Sequence, residues 1–249
     1  MIESSSETQN ETPAPHGWNS HLVRYLMARE HNLFDQAVTD IFGFYALQIG
    51  LPQYTMLEQT RIPNCWSLDF DAPAQVFADP HALPFPEDSL DLIALPHTLE
   101  FTDDPHQILR EAHRALRAEG RLLITGFNPY SLFGLCRRLH KRDEPPWNNQ
   151  FISPYRLKDW LSLLGFDLAG GAFAVYVPPF ANEKWLHRAQ WFEKAGDRWW
   201  PIAGGIYFLH AIKKVVGLRL VTSIWKRDAR RRNWAAAHRM PQEKNPYET

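Results

Sequence analysis

Leu90 to Phe127 reads as one complete strand, helix and strand, and this unit limits the possible folds more than any other stretch of the chain. Leu90 to Leu95 (LDLIAL) is apolar apart from Asp91, the pattern of a strand buried on both faces. Asp104 is a suitable N-cap, Pro105 fits the first helical position, and Gln107 completes a capping-box spacing. Ile108, Leu109, Ala112, Ala115 and Leu116 share one helical face, and Gly120 supplies a left-handed stop. Arg121 to Phe127 (RLLITGF) is the next strand. With connections this short, the two strands lie parallel across a helical crossover, which makes the chain an α/β protein.

The flanking sequence extends the sheet. Gly43 to Gly50 (GFYALQIG) is an apolar run closed by glycine and reads as the first strand. Asn64 to Leu68 and Gln75 to Ala78 read as two more, ahead of the turn-rich ADPHALPFPEDS. Ser153-Pro154 opens a helix whose Leu157, Trp160, Leu161 and Leu164 form one stripe, with Gly165 at its end. Phe166 to Val177 is extended, and Gly205 to Val216 has the β-branched and aromatic content of a final strand. The aromatic segment Phe180 to Trp200 separates these two, which suits an antiparallel pair with an insertion.

A chain of 249 residues, 45% apolar and 13% aromatic, can bury one large core. The expected organisation is a polar, disordered tail over residues 1–17, a domain over 18–222 with an insertion at about 178–204, and a basic tail over 223–249. The net charge of -1 excludes a uniformly basic nucleic-acid binder. Cys65 and Cys136 are too few for a disulfide framework, and the eleven histidines fall in no metal-binding motif, so no metal is expected. The polar N-terminus and the lack of a long apolar run point to a cytoplasmic protein without a membrane span.

Asp79 to Ile124 carries a joint order of features: an acid after a strand, the Leu-Pro-Phe-Pro turn, the Leu-Asp-Leu-Ile strand, a His-Thr-Leu-Glu segment and the Leu-Arg-Ala-Glu-Gly helix end. This block closely resembles the central part of the class I S-adenosylmethionine (SAM)-dependent methyltransferases, nearest to their bacterial type 11 group. NPYSLFGL and FISPYRLKDWLSLLGF look similar as well. The resemblance implies a doubly wound, mostly parallel, seven-stranded Rossmann-like sheet with an antiparallel last strand. It also implies SAM as the cofactor and methyl transfer to an acceptor.

The resemblance places Gly50 where backbone must approach the cofactor, and Asp69 or Asp71 where an acid holds the ribose hydroxyls. Asp79 matches the acid facing the adenine amino group, with Ala82 and Leu83 near the ring. Leu95, Pro96 and His97 match the strand end where donor and acceptor meet, and His97 is the candidate catalytic group. Asn128 and Tyr130 are candidate pocket residues.

The first loop departs from the family's acid-x-Gly-x-Gly-x-Gly. Gln48 replaces the acid, and Leu51, Pro52, Gln53 and Tyr54 follow Gly50, so only one loop glycine remains. The stretch from Gly50 to Asp79 is also short for two helices and two strands, so one helix is expected to be truncated. Two functions follow: an active methyltransferase, for which a small-molecule acceptor is favoured, and a binding or regulatory protein that keeps the fold without catalysis. A nicotinamide-dependent oxidoreductase is disfavoured, because no G-x-G-x-x-G follows a strand. Lys226, Arg227, Arg230, Arg231 and Arg232 between Trp225 and Trp234 leave nucleic acid as a less favoured acceptor class. Trp185, Trp191, Trp199 and Trp200 read as packing residues of the insertion.

Overall fold

The computed structural model describes residues 20–70, 74–139, 150–177 and 201–214. The chain divides into units Met1–Lys214 and Val215–Thr249, and the second lies outside the described residues, as do residues 1–17 and Asp71. The basic tail and the insertion tryptophans lie outside them too.

Seven strands form one sheet: β1 (Tyr45–Ile49), β2 (Asn64–Asp69), β3 (Val76–Phe77), β4 (Leu90–Pro96), β5 (Leu116–Phe127), β6 (Phe166–Ala174) and β7 (Ile206–Lys213). Their order is β3-β2-β1-β4-β5-β7-β6. The first five strands run parallel, and β7 pairs antiparallel with both β5 and β6. The order reverses between β1 and β4. Open α/β sheets bind ligands at such a switch point, beyond the carboxyl ends of the strands.

Alternation along the strands sends apolar side chains to both faces of the sheet. Leu47, Ile49, Leu95, Leu122 and Ile124 face α2 (Pro105–Ala115) and α4 (Pro154–Leu163). Ala46, Leu92, Ala94 and Leu123 face the other way, toward Phe34 and Val38 of α1 (Ser20–Val38). The sequence reading assigned no element to α1, nor to α3 (Leu132–Leu139). Leu22, Leu26, Phe34 and Val38 are buried at every fourth position of α1, and the position that completes the row is Glu30, also fully buried.

Two expectations are corrected. The central helix ends at Ala115, not near Gly120, because Leu116 already pairs with Leu90 of β4. The left-handed residue is Glu119, inside β5 where its register with β4 shifts. Asp104 caps α2 as expected, accepting the Gln107 N–H at 3.0 Å. The Gln107 side chain does not return to the cap, however, but donates to the His81 carbonyl at 3.1 Å. Between β1 and β2 the described chain holds turns and no helix, and Met56, Leu57 and Ile62 of that connection cover the sheet where a helix would pack.

The charged residues of α2 explain why its sequence goes with the Leu-Pro-Phe-Pro turn. Arg114 donates to the carbonyls of Leu83 and Phe85 at 3.0 and 2.9 Å. Glu111 accepts the Leu83 N–H at 3.0 Å and pairs with Arg114 at 2.8 Å. The two side chains clamp the turn onto the helix.

Candidate functional site

The carboxyl ends of four parallel strands open onto one cavity of about 680 Å³, within the range usual for small-molecule sites. Gly50 and Leu51 line it after β1, Asp69 and Phe70 after β2, Asp79 and His81 after β3, and Pro96 and Thr98 after β4. Phe101, Asp103 and Ile108 complete the wall.

Five of the residues matched by resemblance therefore meet at the cavity: Gly50, Leu51, Asp69, Asp79 and Pro96. Gln48, Ala82, Leu83, Leu95 and His97 do not line it. Leu83 and Leu95 point into the hydrophobic core. Ala82 sits in the turn after Asp79, where its N–H meets the Asp79 carbonyl at 3.0 Å. Asn128 is fully buried and donates to the carbonyls of Ile202 and Gly204, pinning the end of β5 beside the start of β7. Tyr130 lines a second cavity of about 490 Å³ with Gln150, Arg156 and Trp160; Asp103 borders both cavities.

Asp79 is organised by its own turn. Its Oδ1 accepts the His81 N–H at 2.8 Å and faces His81 Nδ1 at 2.7 Å. These bonds hold its carboxyl below the ordinary carboxylate range, the backbone bond contributing most. His81 Nε2 meets Thr102 Oγ1 at 2.7 Å, which ties the β3 turn to the loop before α2.

Gln48 accounts for the shape of the first loop. Its amide nitrogen donates to the carbonyls of Gly50, Leu51 and Tyr54 at 3.1, 3.1 and 2.7 Å, and its oxygen accepts the Met56 N–H at 2.8 Å. A carboxylate here could not donate, so a loop with carbonyls turned inward requires the amide. In a trans peptide the N–H lies opposite the C=O, so drawing in the Gly50 carbonyl turns the Leu51 N–H outward. The same geometry at Leu51 yields no donor, because Pro52 follows. Gly50 has φ +84, and a Cβ there would stand 3.0 Å from Thr98 Oγ1, so glycine is needed for both conformation and space. The Thr98 hydroxyl donates to the Ile49 carbonyl, joining the ends of β1 and β4.

Behind this wall lies a buried ionic cluster that the sequence reading missed. His97, only 3% exposed, points Nε2 at Glu30 Oε1 and Nδ1 at Glu100 Oε2, the latter at 2.8 Å. Glu100 also accepts the Phe127 N–H through Oε1, and Glu30 Oε2 accepts the Thr125 hydroxyl at 3.4 Å. Burial alone would lower the His97 pKa, but the charges of Glu30 and Glu100 outweigh it and raise the value to about 10. Burial holds the Glu100 carboxyl above its ordinary range despite the facing imidazole. His97 itself is left-handed, with φ 52, at the turn from β4 into Thr98–Glu100. A Cβ on Gly126 would lie 2.5 Å from the Tyr207 hydroxyl and 3.0 Å from Glu100 Oε1, so only glycine lets both pack there. The signal in the sequence was Glu30 itself, an acid on the apolar row of α1.

The donor set fits the cofactor implied by the resemblance. Asp69 and Asp79 suit a ribose diol and an adenine amino group, and Phe70, Pro80 and Ile108 supply apolar surface. Among the described residues three carboxylates and no Lys or Arg line the cavity, which favours a cationic ligand such as a sulfonium. The loop after β1 offers fewer outward backbone donors than a glycine-rich one would.

Comparison with known proteins agrees. Residues 55–124 match the type 11 family described as a methyltransferase domain. YafS of Escherichia coli is 37% identical over 162 residues, covering 62% of this chain and 66% of that protein. A malonyl-[acyl-carrier protein] O-methyltransferase of Laribacter hongkongensis is 35% identical over 95 residues, covering 38% of this chain and 32% of that enzyme. The chain thus spans just under two thirds of the first relative and about a third of the second. In fold it is similar to a SAM-dependent methyltransferase of Thermotoga maritima, with TM-score 0.56 and 19% identity over 79% of this chain and 96% of that one. It is also similar to the [4+2]-cyclase SpnF, with TM-score 0.52 and 18% identity over 75% and 81%. Sequence block, sheet order and strand-end cavity coincide: residues 55–124 are similar to the type 11 methyltransferase domain, and the chain has the fold of the SAM-dependent methyltransferases.

Proposed function

We propose that this chain binds SAM in the strand-end cavity and transfers its methyl group to a small-molecule acceptor by in-line displacement. The observation that carries the reading is the convergence of Gly50, Asp69, Asp79 and Pro96, from four successive strand ends, on one cavity. Asp79 offers the adenine amino group its Oδ2, since His81 takes Oδ1. Asp69 accepts from the ribose hydroxyls, and Gly50 lets backbone approach the tail. The bound cofactor supplies a methyl carbon already activated by its thioether leaving group, so the protein's task is alignment and exclusion of water. His97 serves this site from behind its wall, since both ring nitrogens face carboxylates.

The second cavity supports an acceptor subsite, because Asp103 borders both cavities and Tyr130, Arg156 and Trp160 line the second. Similarity to a malonyl-[acyl-carrier protein] O-methyltransferase supports a small or carrier-tethered acceptor. A second reading, a binding domain without transfer, is supported by the loop: Pro52 and the inward carbonyls leave few donors for the cofactor's tail. The fold itself also serves a cyclase.

Calorimetric titration with SAM and S-adenosylhomocysteine separates the readings. Micromolar binding, weakened about tenfold or more by Asp79→Ala, is the expected result. No binding at millimolar cofactor in folded protein would select the second reading.

A further inference from the structure

The mechanism makes no direct use of the buried cluster, yet Pro96 and Thr98, the chain neighbours of His97, both line the cavity. Three elements supply it: Glu30 from the middle of α1, His97 from the end of β4, and Glu100 from the turn that follows. All three are buried to 3% exposure or less. Burying two carboxylates on one imidazole is expensive unless each charge is paired and hydrogen-bonded. Here the remaining oxygens are engaged by the Phe127 N–H and the Thr125 hydroxyl.

A packing role alone needs neither acid, since Glu30 stands where Leu22, Leu26, Phe34 and Val38 make the rest of the α1 row apolar. Two acids against one imidazole give the cluster more acidic than basic groups, screened from solvent behind the wall where β4 ends. The cavity adds Asp69, Asp79 and Asp103, with no Lys or Arg among its described lining residues.

We propose that Glu30, with His97 and Glu100, is a positioning unit that fixes the Pro96–Thr98 wall and whose negative charge makes the cavity prefer the cationic sulfonium of SAM over the neutral thioether of S-adenosylhomocysteine. This rests on the cavity being the cofactor site. It gives the site a means of releasing product, since the ligand loses its positive charge at sulfur when the methyl group leaves.

The test compares the affinities of the two ligands, which differ only in the methyl group and its charge. Glu30→Gln removes one of the two acids that face His97. It should reduce the preference for SAM over S-adenosylhomocysteine by about 2- to 30-fold, the order Coulomb's law gives for removing one nearby unit charge at effective dielectric constants of ~80 to ~20. Glu30→Asp keeps the charge and should keep the preference, even at lower stability. If Glu30→Gln does not fold, Glu100→Gln removes the other acid of the cluster. A loss of affinity that is equal for both ligands, in either folded variant, would overturn the proposal and leave the cluster a structural brace. Failure of the unaltered protein to bind either ligand would instead remove the cofactor reading on which it rests.

Discussion

At the scale of single residues, His97 decides more than its place beside the cavity suggests. A histidine with its folded pKa raised above the unfolded value stabilises the fold fully below about pH 6.5, and the contribution is lost as pH rises through the folded value, about 10. Thermal unfolding followed from pH 7 to 10.5 should therefore show a midpoint that falls progressively, by roughly 5 °C or more in all, and levels off above about pH 10. Replacing Glu30 and His97 together by Gln should flatten that fall, and an unchanged profile would show that His97 is not the titrating group. A lone histidine at a strand end suggested catalysis in the sequence, because its partners come from residues 67 positions before it and 3 after it. Only the folded chain brings Glu30 to it.

At the scale of elements, the helix and turn block was the most legible part of the sequence, and the clamp from α2 shows why. Asp104, Pro105 and the apolar face of α2 are local signals, and Glu111 and Arg114 bind a turn on the preceding stretch of chain. Arg114→Ala would leave the Leu83 and Phe85 carbonyls and the Glu111 carboxylate without this partner. A loss of about 1–2 kcal/mol in urea unfolding is expected, discounted because the guanidinium is partly exposed. Less legible was the stop of the same helix, where pairing of Leu116 with Leu90 outweighed the glycine signal at Gly120. Helix α1 was not read at all. Its apolar row is interrupted by the very acid that matters, and an interrupted row weakens the helical pattern.

At the scale of the whole molecule, strand content and the antiparallel end of the sheet followed from hydrophobic patterning, because buried strands are continuous apolar runs. The convergence of Asp69 and Asp79 came from family likeness and became geometry only once the sheet order was known. The cavity is held by the ends of four strands, so a ligand bound there couples them. S-adenosylhomocysteine at a hundred times its dissociation constant should stabilise the fold by about 2.7 kcal/mol, a rise of about 5–10 °C in melting temperature for a domain of this size. A melting curve indifferent to millimolar ligand would count against the site.

The loop around Gln48 has a different consequence. One side chain of β1 serves the backbone of Gly50, Leu51, Tyr54 and Met56, so a single residue sets the local shape of the segment. Changing Gln48 alone therefore strands three carbonyls at once, and does so from within β1, where Gln48 pairs with Ser67 and Ala94.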